Sequence, residues 1–183
     1  MRRFAPTFSD HIARYAFAIN YCHKRKVLDA GSKDGFGSVN LSYVANELDL
    51  ADISEGWLNS AKSLKYNCPT KFHLVDLEKS FPEGMWDTIV AFELIEHLEN
   101  PEFFIDNVSK HLNPNGILVF SVPHMVANRE HKVLFDETKI RNLISNRLYI
   151  EEFYVQDKKV YSNKPLYKNL RCYLGVARHK EDI

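Results

Sequence analysis

The sequence lacks an excess of charge of either sign, and it contains few cysteines. Lysine and arginine number 24 among its 183 residues, and aspartate and glutamate also number 24, so the formal net charge is zero. This balance argues against a strongly basic nucleic-acid clamp, because cationic side chains supply much of the affinity for phosphates. The three cysteines, Cys22, Cys68 and Cys172, are odd in number and far apart. They favour reduced thiols in a cytoplasmic protein over a disulfide framework.

Long apolar runs, internal repeats and low-complexity tracts are also missing. No run of about 18 apolar residues occurs, and the beginning, MRRFAPTFSDHIARY, is too polar for a signal peptide. We therefore expect no membrane partner. The length and the 45% hydrophobic content suit one globular domain with a buried core. We expect this domain to cover 1–183, with 1–24 as an N-terminal helix or lid and 25–183 as the core.

Short apolar runs alternate with segments of helical spacing along the chain. Strands are predicted at 27–30, 47–51, 72–75, 88–92, 116–122, 149–155 and 171–177. The alternation indicates a parallel sheet with right-handed crossovers in an open α/β layer structure. Asp136 is predicted to cap one more helix, and 156–170 is predicted to be a long loop.

A glycine-rich turn, VLDAGSKDGFGS at 27–38, follows the first predicted strand. Its spacing is G-x-x-x-G-x-G, whereas dinucleotide-binding enzymes use G-x-G-x-x-G. Asp29 lies just inside the strand end, where a carboxylate would repel a pyrophosphate and attract a cationic amino-acid group. The turn therefore favours S-adenosylmethionine as the ligand.

Two more acids follow the second and third predicted strands. Asp52, in LADIS, is expected to accept hydrogen bonds from both ribose hydroxyls, and Asp76, in FHLVDLE, from the adenine amino group. Leu77 is expected to lie against the adenine ring. Each acid taken singly is explained as a solvated loop residue or a helix cap, but acids at three strand ends together indicate a nucleoside site.

With these motifs the sequence resembles the class I S-adenosylmethionine-dependent methyltransferases, with a type 11 or ubiquinone-pathway-like core. The resemblance covers about 15–144 and includes ADIS, VDLE, WDTIVAFELIEHLENPEFF and LNPNGILVFSVPH. It implies a Rossmann-like, mostly parallel sheet of seven strands with helices on both faces, the last strand lying antiparallel beside the fifth. The implied cofactor-binding residues are Asp29, Gly31, Ser32, Gly35, Asp52, Ile53, Asp76, Leu77 and Phe92.

Lys33 departs from the family pattern, in which most relatives have glycine. A lysine forced to a positive φ costs about 1–2 kcal/mol relative to glycine. Two explanations remain open at this point. Either Lys33 points to solvent and the turn adapts, or the cofactor site is weakened or lost.

Candidate catalytic residues follow the fourth and fifth predicted strands. Glu93, Glu96 and His97 have the spacing i, i+3, i+4, so one helical turn would place them on one side. His97, Glu93 and His124 are the catalytic candidates, with His97 the preferred general base.

The same region contains a candidate metal site. Glu93, Glu96, His97 and His131 together could bind Mg²⁺, Mn²⁺ or Zn²⁺, and this pattern resembles the metal set of small-RNA 2′-O-methyltransferases. In relatives without a metal, Glu96 only favours a helix N-terminus and His97 faces the substrate.

The segment FSDHIARYAFAINYC is predicted to form an amphipathic lid helix. Its inner side is predicted to carry Ile12, Tyr15, Ala16 and Ile19, while His11 and Arg14 are further candidates for the mouth of the site.

Three functional hypotheses follow. The first is methyl transfer to a small-molecule acceptor, at oxygen or nitrogen. The second is metal-dependent 2′-O-methylation of an RNA ribose, and the third is a degenerate methyltransferase fold that serves as a partner protein.

Overall fold

The strands in the described part of the chain form one sheet. The computed structural model describes residues 8–127, 129–157, 160–162 and 172–180. The strands are β1 Lys26–Ala30, β2 Glu47–Asp52, β3 Thr70–Leu74, β4 Trp86–Phe92, β5 Leu112–Pro123, β6 Leu148–Asp157, β7 Val160–Ser162 and β8 Cys172–His179. The helices are α1 Phe8–Cys22, α2 Phe36–Ser42, α3 Glu55–Lys62, α4 Pro101–His111 and α5 Glu137–Ser145, with a 3₁₀ turn at Ile95–His97.

The strand order is β3-β2-β1-β4-β5-β8-β6-β7. The first five of these strands pair in parallel, and β8 lies antiparallel between β5 and β6. This arrangement confirms the predicted α/β fold, including the last strand beside the fifth.

The strand β7 was not predicted. It extends the sheet by three residues that pair antiparallel with the end of β6. The expectation of one continuous loop over 156–170 is therefore wrong at both of these strands, and 163–170 lies outside the described residues. Val160 and Tyr161 are β-branched and aromatic, which favours an extended backbone.

Helices cover both faces of the sheet. One core cluster combines β-strand side chains with Phe104 and Val108 of α4 and with Ile140 of α5. The other cluster combines strand side chains with Leu41 of α2 and Ala61 of α3. Burial on both faces explains why the parallel strands are nearly continuous apolar runs. Asp136 caps α5 as predicted, since its carboxylate accepts a hydrogen bond from the Lys139 amide.

The predicted inner face of α1 is only partly correct. Tyr15 is buried, but Ala16 is exposed and Ile12 is 42% exposed. The buried row is instead Arg14, Ala18 and Cys22, which recur every four residues along the helix. Apolar spacing alone does not reveal this face, because Arg14 is polar and yet buried. In the described part of the chain, no helix has the length and apolar character needed to cross a membrane.

A buried carboxyl joins α1 and α2 to the end of β1. Asp29 is fully buried and accepts hydrogen bonds from Ser38 Oγ of α2 at 2.5 Å and from Tyr15 OH of α1 at 3.1 Å. Burial raises the pKa of Asp29 to about 7, although both hydrogen bonds oppose the shift. The Tyr15 ring in turn covers Gly37, where an added Cβ would lie 2.1 Å from it, and meets Phe92 edge-on.

The raised pKa of Asp29 predicts a pH-dependent stability. Between about pH 4 and pH 7 the folded state holds a proton at Asp29 that the unfolded state has lost, so this group lowers the free energy of unfolding as pH rises. Asp29→Asn should remove that contribution, which is at most about 4 kcal/mol across the window. Urea unfolding at several pH values measures it. Asp106→Asn, which only loses a surface ion pair, is the control, and parallel curves for wild type and Asp29→Asn would contradict the assignment.

Alanine substitution of two glycines, one in β8 and one in α3, tests the packing of β8. Gly175 faces Phe120, and an added Cβ would lie 2.4 Å from that buried ring. Gly175→Ala should therefore lower the free energy of unfolding by about 1–3 kcal/mol. The control is Gly56→Ala in α3, where the nearest atom is 3.7 Å away. It should raise stability by about 0.5–1 kcal/mol, because alanine is the better helix former. Equal effects of the two changes in thermal unfolding would contradict this description.

Candidate active site

Two cavities adjoin at Gly31, beyond the carboxyl ends of the parallel strands. The first, of about 200 Å³, is lined by Gly31, Ser32, Phe92 and residues of α1 and α2. The second, of about 150 Å³, is lined by Gly31, Asp52, Ile53, Asp76 and Leu77. The structure thus brings together seven of the nine predicted cofactor-binding residues. Asp29 and Gly35 line neither cavity.

The glycine turn between β1 and α2 is tied to the end of β2. The amides of Gly31 and Ser32 donate to the Ala51 carbonyl at 2.8 and 3.1 Å. The Lys33 amide donates to Asp52 Oδ2 at 2.9 Å. Lys33 has φ +50°, so it adopts the left-handed conformation that a glycine would take more easily. Lys33 is also exposed, so the turn accommodates the lysine in a left-handed conformation.

Asp29 and Gly35 line neither cavity, and a tyrosine side chain packs against each of them. Tyr15 and Ser38 cover the carboxyl of Asp29, and its contact with the methionine part of the cofactor stays a prediction. Gly35 has φ +73°, and an added Cβ would lie 2.3 Å from the Tyr66 hydroxyl. Its role is therefore to allow the close approach of Tyr66, a contact that sequence spacing did not reveal.

The second cavity combines carboxylates with apolar side chains. Asp52 Oδ1 accepts from the Ser54 amide at 2.8 Å, and Asp52 is almost fully buried. Asp76 Oδ2 pairs with Lys79 Nζ at 2.6 Å, a contact that lowers the pKa of Asp76. Ile53 is 66% exposed and Leu77 is buried. This arrangement offers hydrogen-bond acceptors beside apolar surface, as a nucleoside requires.

The helix α1 contributes residues to the first cavity. His11, Ile12 and Tyr15 line the first cavity, and burial lowers the pKa of His11 to about 4. Arg14 does not line it. Arg14 is fully buried, and its Nη1 donates to Gln156 Oε1 at 2.9 Å and to Cys172 Sγ at 3.3 Å.

Glu93 and His124 line neither of the two cavities. Glu93 has φ +51°, and its Oε1 accepts from Ser121 Oγ at 3.2 Å and lies 3.9 Å from Arg14 Nη2. His124 Nδ1 lies 2.8 Å from the Tyr173 hydroxyl. Of the three predicted catalytic residues, His97 alone lines one of these two cavities, the second.

Glu96, His97 and His131 form a compact group whose ligand atoms all lie within 4.8 Å of one another. Glu96 is 1% exposed, and neither of its carboxylate oxygens has a hydrogen-bond partner. Burial and the neighbouring Glu93 raise the pKa of Glu96 well above its usual range, and burial lowers the pKa of His97. His97 Nδ1 lies 3.2 Å from the Glu130 carbonyl and His131 Nδ1 2.6 Å from the Val126 carbonyl. The predicted four-residue metal set is therefore corrected, since Glu93 is outside this group.

Known methyltransferases resemble this chain in sequence. A probable S-adenosylmethionine-dependent methyltransferase of Mycolicibacterium smegmatis is 27% identical over 119 residues, which are 65% of this chain and 46% of that protein. A ubiquinone biosynthesis O-methyltransferase of Rickettsia conorii is 26% identical over 104 residues, which are 56% of this chain and 36% of that protein. The chain spans less than half the length of both relatives.

A solved structure shares the fold. The N-methyltransferase NodS of Bradyrhizobium japonicum, in complex with S-adenosyl-L-homocysteine, matches with a TM-score of 0.75 at 18% identity, over 95% of this chain and 89% of that one. A family model described as "Methyltransferase domain" matches residues 1–150. Since this match covers most of the chain, the protein belongs to that methyltransferase-domain family.

Proposed function

We propose that the chain is an S-adenosylmethionine-dependent methyltransferase that acts on oxygen or nitrogen of a small-molecule acceptor. The observation that carries the proposal is the pair of cavities joined at Gly31, with Asp52 and Asp76 in one and Ser32 and Phe92 in the other. The three free cysteines support a cytoplasmic setting.

The residues present fit this cofactor. Asp52 retains acceptor capacity for ribose hydroxyls beyond its two backbone partners. Ile53 and Leu77 supply apolar surface for adenine beside Asp76. Ser32 Oγ is buried and lacks a hydrogen-bond partner, and Ser32 lines the first cavity, so it suits a polar group of the methionine part.

When bound, the cofactor supplies an electrophilic methyl group on a positively charged sulfur. His97 lines the second cavity, and its Nδ1 faces a carbonyl oxygen, which makes Nε2 the basic nitrogen. His97 Nε2 is therefore suited to take the proton that an acceptor O–H or N–H releases.

The mouth of the first cavity supports a small acceptor with apolar surface. Ile12 is 42% and Phe36 50% exposed, and both line this cavity with Phe92. Large apolar side chains that are exposed beside a cavity commonly mark a binding surface. The balanced charge of the chain gives an RNA acceptor less support.

A second proposal concerns a divalent cation held by Glu96, His97 and His131. Two imidazoles and one carboxylate suit Zn²⁺ or Mn²⁺ better than Mg²⁺, which prefers oxygen ligands. Both Nδ1 atoms contact backbone carbonyls, which is the usual outer contact of a metal-binding histidine. The buried Glu96 oxygens without hydrogen-bond partners support the same reading. A cation on His97 Nε2 would exclude that atom as the general base, so the two roles are alternatives.

Cofactor binding tests the main proposal. S-adenosylmethionine should bind in isothermal titration calorimetry and raise the melting temperature. Asp52→Ala should weaken binding about tenfold or more, because a hydrogen bond to a charged group contributes about 1.5–3 kcal/mol. Asp106→Ala, at the α4 surface, should leave affinity unchanged. Absence of binding at millimolar cofactor would overturn the proposed activity, and full affinity in Asp52→Ala would remove Asp52 from the site.

Metal titration tests the second proposal. Zn²⁺ or Mn²⁺ should bind the wild-type chain in calorimetry, and Glu96→Gln should weaken that binding about tenfold or more. Glu102→Gln is the matched control, since Glu102 is an exposed carboxylate of α4 outside the group, and it should bind the ion nearly as well as wild type. Equal affinity of Glu96→Gln and wild type would contradict the site and leave His97 as the base.

A further inference from the structure

Lys33 is the one lysine or arginine among the described residues that line the two cavities. It occupies a position at which the resemblance to methyltransferases leads one to expect glycine. A cationic side chain here needs its own explanation, because the expected ligand itself has a positive sulfonium.

The backbone fixes where the Lys33 side chain begins. Its amide donates a hydrogen bond to Oδ2 of Asp52, which lines the second cavity, while Lys33 itself lines the first. Gly31, two residues earlier, lines both cavities. Lys33 therefore leaves the turn close to the junction at which the nucleoside and methionine halves of a bound ligand would meet.

Lys33 is exposed at the first cavity, which His11 also lines. Burial, Arg14 and, more weakly, the Lys33 ammonium lower the pKa of His11. Lys33 therefore brings a positive charge to the cavity that would hold the methionine part of the ligand.

We propose that Lys33 sets the ligand preference of this site by opposing the sulfonium charge, so that the neutral thioether product S-adenosylhomocysteine is favoured over S-adenosylmethionine. The inference rests on the proposed function. During transfer the sulfur–methyl bond breaks with its electron pair left on sulfur, and the methyl carbon bonds to a lone pair of the acceptor. The positive charge then leaves the sulfur, so the repulsion from Lys33 is relieved as the reaction proceeds.

A different role for Lys33 makes a different prediction. Its ammonium could instead pair with the carboxylate of the ligand, which the cofactor and the product share. Removal of the lysine would then weaken both ligands alike, but not 5′-methylthioadenosine, which lacks the amino-acid part.

The test is calorimetric measurement of Kd for S-adenosylmethionine and S-adenosylhomocysteine on the same variants. Lys33→Gln should tighten S-adenosylmethionine about fivefold, because a positive charge is removed from the cavity that would hold the sulfonium, and leave S-adenosylhomocysteine nearly unchanged. Lys33→Arg should keep the wild-type ratio of the two constants. Because each ratio compares two ligands on one protein, a change in turn stability cancels.

Lys24→Gln is the matched control. Lys24 also has a left-handed backbone, at φ +56°, and is exposed, but it lines neither cavity, so its removal should not alter the ratio. An unchanged ratio in Lys33→Gln, or an equal shift in Lys24→Gln, would overturn the inference. Weaker binding of both ligands with unaltered 5′-methylthioadenosine would overturn it in favour of carboxylate binding. If neither ligand binds the wild-type chain, the proposed function fails together with it.

Discussion

The buried carboxyl of Asp29 is the interaction on which the shape of the site depends. It lies at the end of β1 and binds one hydroxyl from α1 and one from α2. Through Tyr15 it holds α1 against the glycine turn, and through Ser38 it holds α2, the helix that follows that turn. The wall of the first cavity is therefore set by a group that does not line it. A fully buried carboxyl with two hydroxyl donors has a pKa near neutrality, because two neutral hydrogen bonds do not replace full hydration.

The sheet could be predicted, as could the position of seven of the nine proposed cofactor-binding residues at the two cavities, because each depends on local pattern. Apolar runs that end in Asp52 or lead to Asp76 place those acids at one edge of a parallel sheet, whatever the rest of the chain does. The partners of Arg14 could not be found in this way. Gln156 and Cys172 are 142 and 158 positions away in the sequence, and no spacing rule connects α1 with β6 and β8. The requirement for glycine at Gly35 likewise comes from Tyr66, which reaches it through tertiary packing.

The region after β4 shows how a correct motif led to a wrong geometry. Helical spacing would place Glu93 beside Glu96 and His97, but Glu93 is left-handed and the 3₁₀ turn begins only at Ile95. The chain thus turns between Glu93 and Glu96. The side chain of Glu93 contacts Ser121 and Arg14. Glu96 and His97 instead lie beside His131, which belongs to the loop after β5. A spacing argument assumes one continuous helix, and a positive φ at its first member removes that assumption.

Three residues at this edge of the sheet have a left-handed backbone although they are not glycine. Lys33, Glu93 and Met125 come after β1, β4 and β5, and each has a positive φ without being glycine. Each is also fixed through its amide, to Asp52 Oδ2, to the Ser121 carbonyl and to the Phe135 carbonyl, respectively. A hydrogen bond to a neighbouring element offsets the backbone strain and aims the next side chains of the loop. Strain at three adjacent loops therefore coincides with the edge at which both cavities open, where shape matters more than the stability of any single turn.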